Sequence, residues 1–184
     1  DLSSAEGNYI LATPTDGNDN ENEASGVWFL ELIDGPLAGL TLPALPSGWK
    51  YEGWAVNQGM PLTTGKFSSP EGADEFNGFS GPINAPPFPG EDFLFNAPEG
   101  ITFPLNLADG LSKTVISIEP DLDGVDPTGE GPFSIKPLVA DVLVNAEVHT
   151  NYEMSINLES LPLGTATITE MSVSFVSTET IFEI

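Results

Sequence analysis

Apolar and polar residues alternate along much of this chain, a pattern typical of β-strands. From Leu138 to Leu158 the even-numbered positions are mostly apolar and the odd-numbered ones mostly polar. This period of two indicates one or two half-buried strands, with a bend expected at residues 149–151. Apolar residues do not recur with the helical period without an intervening proline or glycine. The pattern therefore predicts an all-β protein.

Short apolar or aromatic runs predict the remaining strands. They lie at residues 9–13, 26–32, 49–56, 62–67 and 115–118, and further strands begin at Gly164 with a β-bulge expected near Thr169-Glu170. The run 26–32 is apolar on both faces, which predicts a strand covered on both sides. Because 19 glycines and 17 prolines separate these runs, we predict a single immunoglobulin-like β-sandwich with long Pro/Gly-rich loops.

An aromatic hairpin is the strongest local signal. Residues 49–56 hold two of the three tryptophans, and a turn at Gly59 leads into a return strand that ends at Phe67. We expect Trp54 and Phe67 to be facing core partners. Gly65 is expected at a strand position with no room for a side chain.

The chain shows no internal boundary, so we predict one domain over residues 1–184, with 1–8 as a poorly ordered lead. Residues 68–110 form a long insertion, rich in proline and glycine. Its five phenylalanines between residues 76 and 95 are too many for a disordered linker, so the insertion is expected to be ordered. It is the best candidate for a recognition surface, although packing alone would also explain these phenylalanines.

The charge is strongly one-sided. The chain has 28 acidic residues, 4 lysines and no arginine, for a net charge of −24. Such a surface repels phosphates and anionic lipids, which excludes nucleic-acid binding and suits a saline, extracellular medium. The absence of cysteine excludes disulfides and thiolate metal sites. No apolar run of about 18 residues is present to span a membrane.

The residue types used in catalysis form no recognisable set. The single histidine, His149, would have to serve any Ser-His-Asp triad, and no Gly-x-Ser-x-Gly motif supplies a nucleophile. With 28 carboxylates, chance pairs are plentiful and none stands out as a glycosidase pair. We therefore predict no catalytic residues and no enzyme activity.

Two acidic turns are candidates for calcium binding, since hard cations prefer carboxylate and carbonyl oxygens. An EF-hand is excluded at the first turn, because its sixth and twelfth places hold Glu21 and Val27. A looser site is the alternative to a plain solvated turn, whose chemistry also explains Asp and Gly. No other cofactor is predicted. The candidate ligands are Asp16, Asn18 and Asn20 in the first turn and Asp121, Asp123 and Asp126 in the second.

Three motifs follow one another in the middle of the chain. They are Tyr51-x-x-Trp54, Gly65-Lys66-Phe67 and Val115-x-Ser117-Ile118-Glu119-Pro120, and a Gly/Pro/Thr-rich turn follows at residues 124–132. In this order they resemble the extracytoplasmic C-terminal domain of anti-sigma-K factors over about residues 48–132. The resemblance implies a β-sandwich that senses or interacts outside the cytoplasmic membrane and has no catalysis of its own.

The chain departs from this family in residues 68–110, which are longer, and in residues 133–184, which have no counterpart. It also lacks the family's membrane-spanning helix and sigma-binding segment. These departures fit either a segment of a longer regulator or an exported relative that kept the sandwich without the switch, and we favour the second. We therefore expect an exported, non-enzymatic sensor or interaction domain, periplasmic or at the cell surface, with a lipid anchor upstream of residue 1. The alternative is a calcium-assisted adhesion or carbohydrate-binding module. The partner would be an unidentified protein or glycan.

Overall fold

A computed structural model describes residues 1–17, 21–121, 131–162 and 164. Within these residues short strands dominate, joined by long connections and three short 3-10 turns at Leu2–Ser4, Glu23–Ser25 and Leu158–Ser160. The strands are β1 Glu6–Leu11, β2 Val27–Trp28, β3 Leu30–Leu32, β4 Pro36–Ala38, β5 Leu40–Thr41, β6 Trp49–Asn57, β7 Met60–Phe67, β8 Gly90–Glu91, β9 Lys113–Pro120, β10 Leu138–Asp141 and β11 Tyr152–Ile156.

One large antiparallel sheet contains most of these strands. Its order is β7-β6-β9-β10-β11-β1-β2-β8, with β5 also beside β1, while β3 and β4 form a separate hairpin. The sheet curls until its end strands β7 and β8 approach each other and it nearly closes on itself. The all-β prediction is therefore confirmed, and the architecture is sandwich-like. The strands predicted from Gly164 onward, with the bulge at 169–170, lie outside the described residues.

The core lies inside the curled sheet and is built by the alternation of strand residues. Val27 and Phe29 point into the main core, whereas Trp28 and Leu30 belong to a second apolar cluster on the other face. Phe88 of the insertion packs against this second cluster. Residues 27–30 are thus covered on both sides, as predicted, but the run 26–32 divides into β2 and β3 instead of forming one strand, and Leu32 at its end is exposed.

The hairpin β6–β7 turns through a two-residue loop with positive φ at Gln58 (49°) and Gly59 (87°), which is the geometry that suits the twist of the paired strands. Phe67 lies opposite Tyr51, with ring centroids 5.8 Å apart. The expected pairing of Trp54 with Phe67 is wrong, because Trp54 is three residues from Tyr51 and points to the opposite face.

Two further predictions concern order: residues 1–8 as a poorly ordered lead and residues 68–110 as an ordered insertion. β1 begins at Glu6, within the predicted N-terminal lead, and the Asp1 side chain accepts a 3.0 Å hydrogen bond from the Ser3 N–H. In the insertion, the rings of Phe76, Phe79, Phe93 and Phe103 form a chain of edge and tilted contacts with centroids 4.9–5.9 Å apart. These rings pack the insertion against the core.

In the described ranges no helix has the length and apolar character needed to cross a membrane.

Candidate functional site

Buried carboxylates fasten the insertion to the sheet. Asp92 accepts hydrogen bonds of 2.7 Å from the Trp28 indole and 2.7 Å from the Thr15 N–H. Glu91 accepts bonds from the Phe79 N–H at 3.1 Å and from the Ser80 hydroxyl. Burial raises the pKa of both carboxyls, that of Asp92 to about 6, although these bonds oppose the shift. Their hydrogen bonds explain these acids as structural anchors.

Asp74 lies at the seam between the two end strands of the sheet. Its carboxylate accepts bonds of 2.8 Å from the Gly90 N–H in β8 and 3.0 Å from the Phe76 N–H. Gly65 of β7 leaves the space that Asp74 fills, since a Cβ there would stand 2.5 Å from its Oδ1. The expectation that no side chain fits at Gly65 is confirmed. Burial raises the pKa of Asp74 to about 7.

The insertion also walls a cleft among the described residues, which we call the hairpin cleft. It lies between the β6–β7 hairpin and residues 98–101 and has a volume of about 730 Å³. Its apolar lining includes Trp54, Leu62, Phe79 and Ile101. Met60, 51 % exposed, stands at one end. The cleft is therefore a largely apolar depression beside the aromatic hairpin.

Two carboxylates add negative charge to this apolar cleft. Glu52 is buried in its wall, where its Oε1 accepts a 2.5 Å hydrogen bond from the Thr63 hydroxyl. Glu99 is exposed on the facing segment of the insertion. An apolar surface combined with these acids suits a ligand that has both apolar and positively charged groups.

A chain of hydrogen bonds fixes the indole of Trp54 in the cleft wall. Its Nε1 donates to the Ser117 hydroxyl at 2.8 Å, and that hydroxyl donates to the Glu119 carboxylate. Glu119 in turn accepts a 2.7 Å bond from the Phe133 N–H. Trp54, Ser117 and Glu119 are residues of the motifs that carry the family resemblance. In this structure they position one aromatic wall of the cleft.

A second, smaller depression of about 290 Å³ is lined mainly by residues 73–90 of the insertion. The rings of Phe76 and Phe88 line it together with Asp74 and Asn77. Aromatic rings beside polar side chains form an amphipathic surface. The insertion thus contributes to two separate depressions.

The lone histidine, His149, lies beside an acid. Its Nε2 is 3.0 Å from Oε2 of Glu23, and the same carboxylate oxygen accepts a 2.9 Å bond from the Thr13 N–H. The main-chain N–H of His149 also donates a 2.9 Å hydrogen bond to the Leu11 carbonyl. These contacts join the β10–β11 connection to the end of β1.

The proposed calcium ligands are only partly within the described residues. Asp16 accepts a 3.0 Å bond from the Thr13 hydroxyl, and Asp121 is 3.2 Å from the Lys50 ammonium. Asn18, Asn20, Asp123 and Asp126 lie outside the described residues. Among the side chains that the structure does describe, no group of three or more histidine or acidic residues could hold a metal ion.

The sequence marks both sides of the hairpin cleft as notable without showing that they meet. The hairpin stands out by its aromatics and the insertion by its phenylalanines, but Glu52 and Glu99 carry no distinguishing signal among 28 acidic residues.

No protein-family model, curated protein or solved structure matches the chain.

Proposed function

We propose that this chain is a non-catalytic binding module that works outside the cytoplasm and holds a basic, apolar segment of a partner protein in the hairpin cleft. The hairpin cleft itself carries the proposal. Its volume of about 730 Å³ falls within the range usual for ligand sites. Its lining combines apolar side chains with two carboxylates.

The charge of the whole chain supports a basic partner. A net charge of −24 attracts cationic segments from a distance and repels acidic ones. The motif resemblance to the extracytoplasmic domain of anti-sigma-K factors agrees with a sensing or interaction role and stays a prediction. An exported location suits the acidic composition in the same way.

Binding of designed peptides tests the proposed function. Fluorescence anisotropy would compare labelled peptides of alternating lysine and valine, serine and valine, and glutamate and valine. We expect the lysine peptide to bind most tightly. Glu99→Lys should weaken its binding about three- to tenfold, as expected for reversal of an exposed charge. Glu153→Lys makes the same charge change at an exposed position on β11, so it is the matched control and should leave binding near wild type. Equal binding of all three peptides, or equal effects of the two variants, would contradict the proposal.

A carbohydrate-binding module is the second candidate, and the smaller depression favours it. Sugar rings stack on aromatic faces, and Phe76 and Phe88 stand there beside Asn77 and Asp74. Titration calorimetry with a panel of neutral oligosaccharides would test this, with and without chelation of calcium. Binding that is lost in Phe88→Ala but kept in Phe95→Ala, an exposed phenylalanine, would place the glycan site in this depression.

A further inference from the structure

Strand β7 is an end strand of the sheet, and among the described residues main-chain hydrogen bonds cover only part of its outer edge. It pairs with β6 on one side. On the other side, the insertion covers the C-terminal half, where the Glu75 N–H donates to the Lys66 carbonyl at 2.9 Å. The N-terminal half, residues 60–63, borders the hairpin cleft instead. An uncovered strand edge offers main-chain groups to another strand.

The register identifies the main-chain groups that point into the cleft. Asn57 pairs with Met60 across the two-residue loop, and Pro61 and Thr63 lie opposite Val56 and Trp54. In an antiparallel ladder, residue pairs joined by main-chain hydrogen bonds alternate with residue pairs whose main-chain groups point away from the partner strand. The two residues that flank a two-residue loop hydrogen-bond to each other. The β7 residues whose main-chain groups point outward, away from β6, are therefore Pro61 and Thr63. Pro61 has no N–H, so the edge offers the Pro61 carbonyl and both groups of Thr63.

We propose that the partner segment binds as an added β-strand along Pro61–Thr63, with apolar and basic residues at alternate positions. The proposal rests on the proposed function and specifies the form of its ligand. Strand addition derives affinity from main-chain bonds and specificity from alternate side chains. Because this edge is short and Pro61 has no N–H, only a few residues of a partner strand can pair with it.

The two faces of such a strand would meet different surfaces. Leu62 points toward the core on one side of β7, where Phe79 and Ile101 also pack. Trp54, Glu52 and Thr63 lie on the other side, joined by the Thr63–Glu52 hydrogen bond. Apolar side chains of the partner match the first surface. Basic side chains match the second, where a carboxylate and an aromatic ring both attract cations.

Backbone methylation of the lysine–valine peptide tests the added strand. An N-methyl group removes an N–H donor and blocks pairing at that position. In a strand paired along one edge, the N–H groups that face the edge all belong to alternate residues. One peptide would be methylated at every lysine amide and another at every valine amide. We expect one of the two to bind about tenfold or more weakly than the parent and the other to bind like the parent.

The outcomes separate this inference from the proposed function. Binding that responds equally to the two methylation patterns, whether retained or lost in both, overturns strand addition. If the parent peptide still depends on Glu99 in that case, the proposed function survives without the added strand. Failure of the parent lysine–valine peptide to bind at all overturns both proposals.

Discussion

The indole Nε1 of Trp54 donates a 2.8 Å hydrogen bond to the hydroxyl of Ser117 on the neighbouring strand. The two residues are diagonal neighbours on the outer face of the β6–β9 pair, since Trp54 lies opposite Val115 and Ser117 opposite Glu52. Side chains at this separation interact across strands when one of them is large. The bond therefore links the aromatic hairpin to the centre of the sheet and fixes the wall of the hairpin cleft.

Removal of this hydroxyl should destabilise the fold. In Ser117→Ala the buried indole N–H loses its acceptor and Glu119 loses a donor, which should lower the free energy of unfolding by about 1–3 kcal/mol. Urea unfolding followed by tryptophan fluorescence measures the change. Ser155→Ala alters an exposed strand serine and should change stability by less than about 0.5 kcal/mol. A Ser117→Ala variant as stable as this control would show that the bond contributes little.

The seam between β7 and Asp74 should not tolerate a methyl group at Gly65. There φ is +122°, and an added Cβ would stand 2.5 Å from Oδ1 of Asp74. Both the strained conformation and the close contact destabilise Gly65→Ala, by more than about 1 kcal/mol. At Gly72, by contrast, an added Cβ meets no atom within 4 Å, so Gly72→Ala should be neutral or slightly stabilising. Thermal unfolding of the two variants compares them directly, and a neutral Gly65→Ala would contradict the packing at the seam.

The phenylalanine chain should hold the insertion against the core. Phe79 contacts the rings of Phe76, Phe93 and Phe103, so Phe79→Ala should cost about 3 kcal/mol. Phe95 is 51 % exposed and supplies the control, since Phe95→Ala should cost less than about 1 kcal/mol. Hydrogen exchange would show whether the loss is local: we expect faster exchange at the Leu94 N–H, which bonds to the Phe79 carbonyl at 2.9 Å.

The sequence predicted those parts of the fold that depend on local pattern. Period-two alternation predicts β10 and β11, although the break between them spans residues 142–151 and not only the expected bend at 149–151. Apolar and aromatic runs predict β1, β6, β7 and β9, and the Gly59 turn predicts the β6–β7 hairpin, because these are properties of neighbouring residues. The expectation that Trp54 faces Phe67 in the core is wrong. Its size suggested the main core, whereas the alternation that begins at Tyr51 places it on the other face, where a serine accepts its N–H.

The candidate site depends on contacts between distant parts of the chain. Glu52 and Glu99 line one cleft although they are far apart in sequence, and no periodicity in either segment predicts that approach. The anchoring roles of Glu91 and Asp92 are equally unpredictable from the sequence, because a carboxylate that accepts main-chain hydrogen bonds looks the same there as a solvated one. Strand order, which determines that β7 is an end strand, is likewise a property of the whole fold.

Salt should stabilise this chain. With a net charge of −24, mutual repulsion weakens as the Debye length falls from about 10 Å at 0.1 M to about 3 Å at 1 M salt. We expect the unfolding temperature to rise over this range of sodium chloride. Calcium chloride at matched ionic strength, after chelation, then tests the acidic turns. A further rise with calcium, lost in Asp121→Asn, would establish a cation site there, and identical curves would leave the turns solvated.

Stability should also fall as pH rises from about 4 to about 7. The pKa of Asp74 is raised from 3.8 to about 7, mainly by burial, and the pKa of Asp92 to about 6. In this window the folded state therefore binds more protons than the unfolded state, and unfolding becomes easier as pH increases. Each such carboxyl contributes a slope of at most about 1.4 kcal/mol per pH unit. Urea unfolding at several pH values measures the slope.

Asp74→Asn isolates the contribution of the seam to this slope. The variant cannot take up the proton, so the decline between about pH 4 and 7 should become shallower, whatever its absolute stability. Asp34→Asn removes the same charge from an exposed position whose left-handed backbone asparagine also adopts, and this variant should keep the wild-type slope. Equal slopes in wild type, Asp74→Asn and Asp34→Asn would mean that Asp74 titrates as an ordinary carboxyl, and that burial between β7 and β8 does not hold its proton.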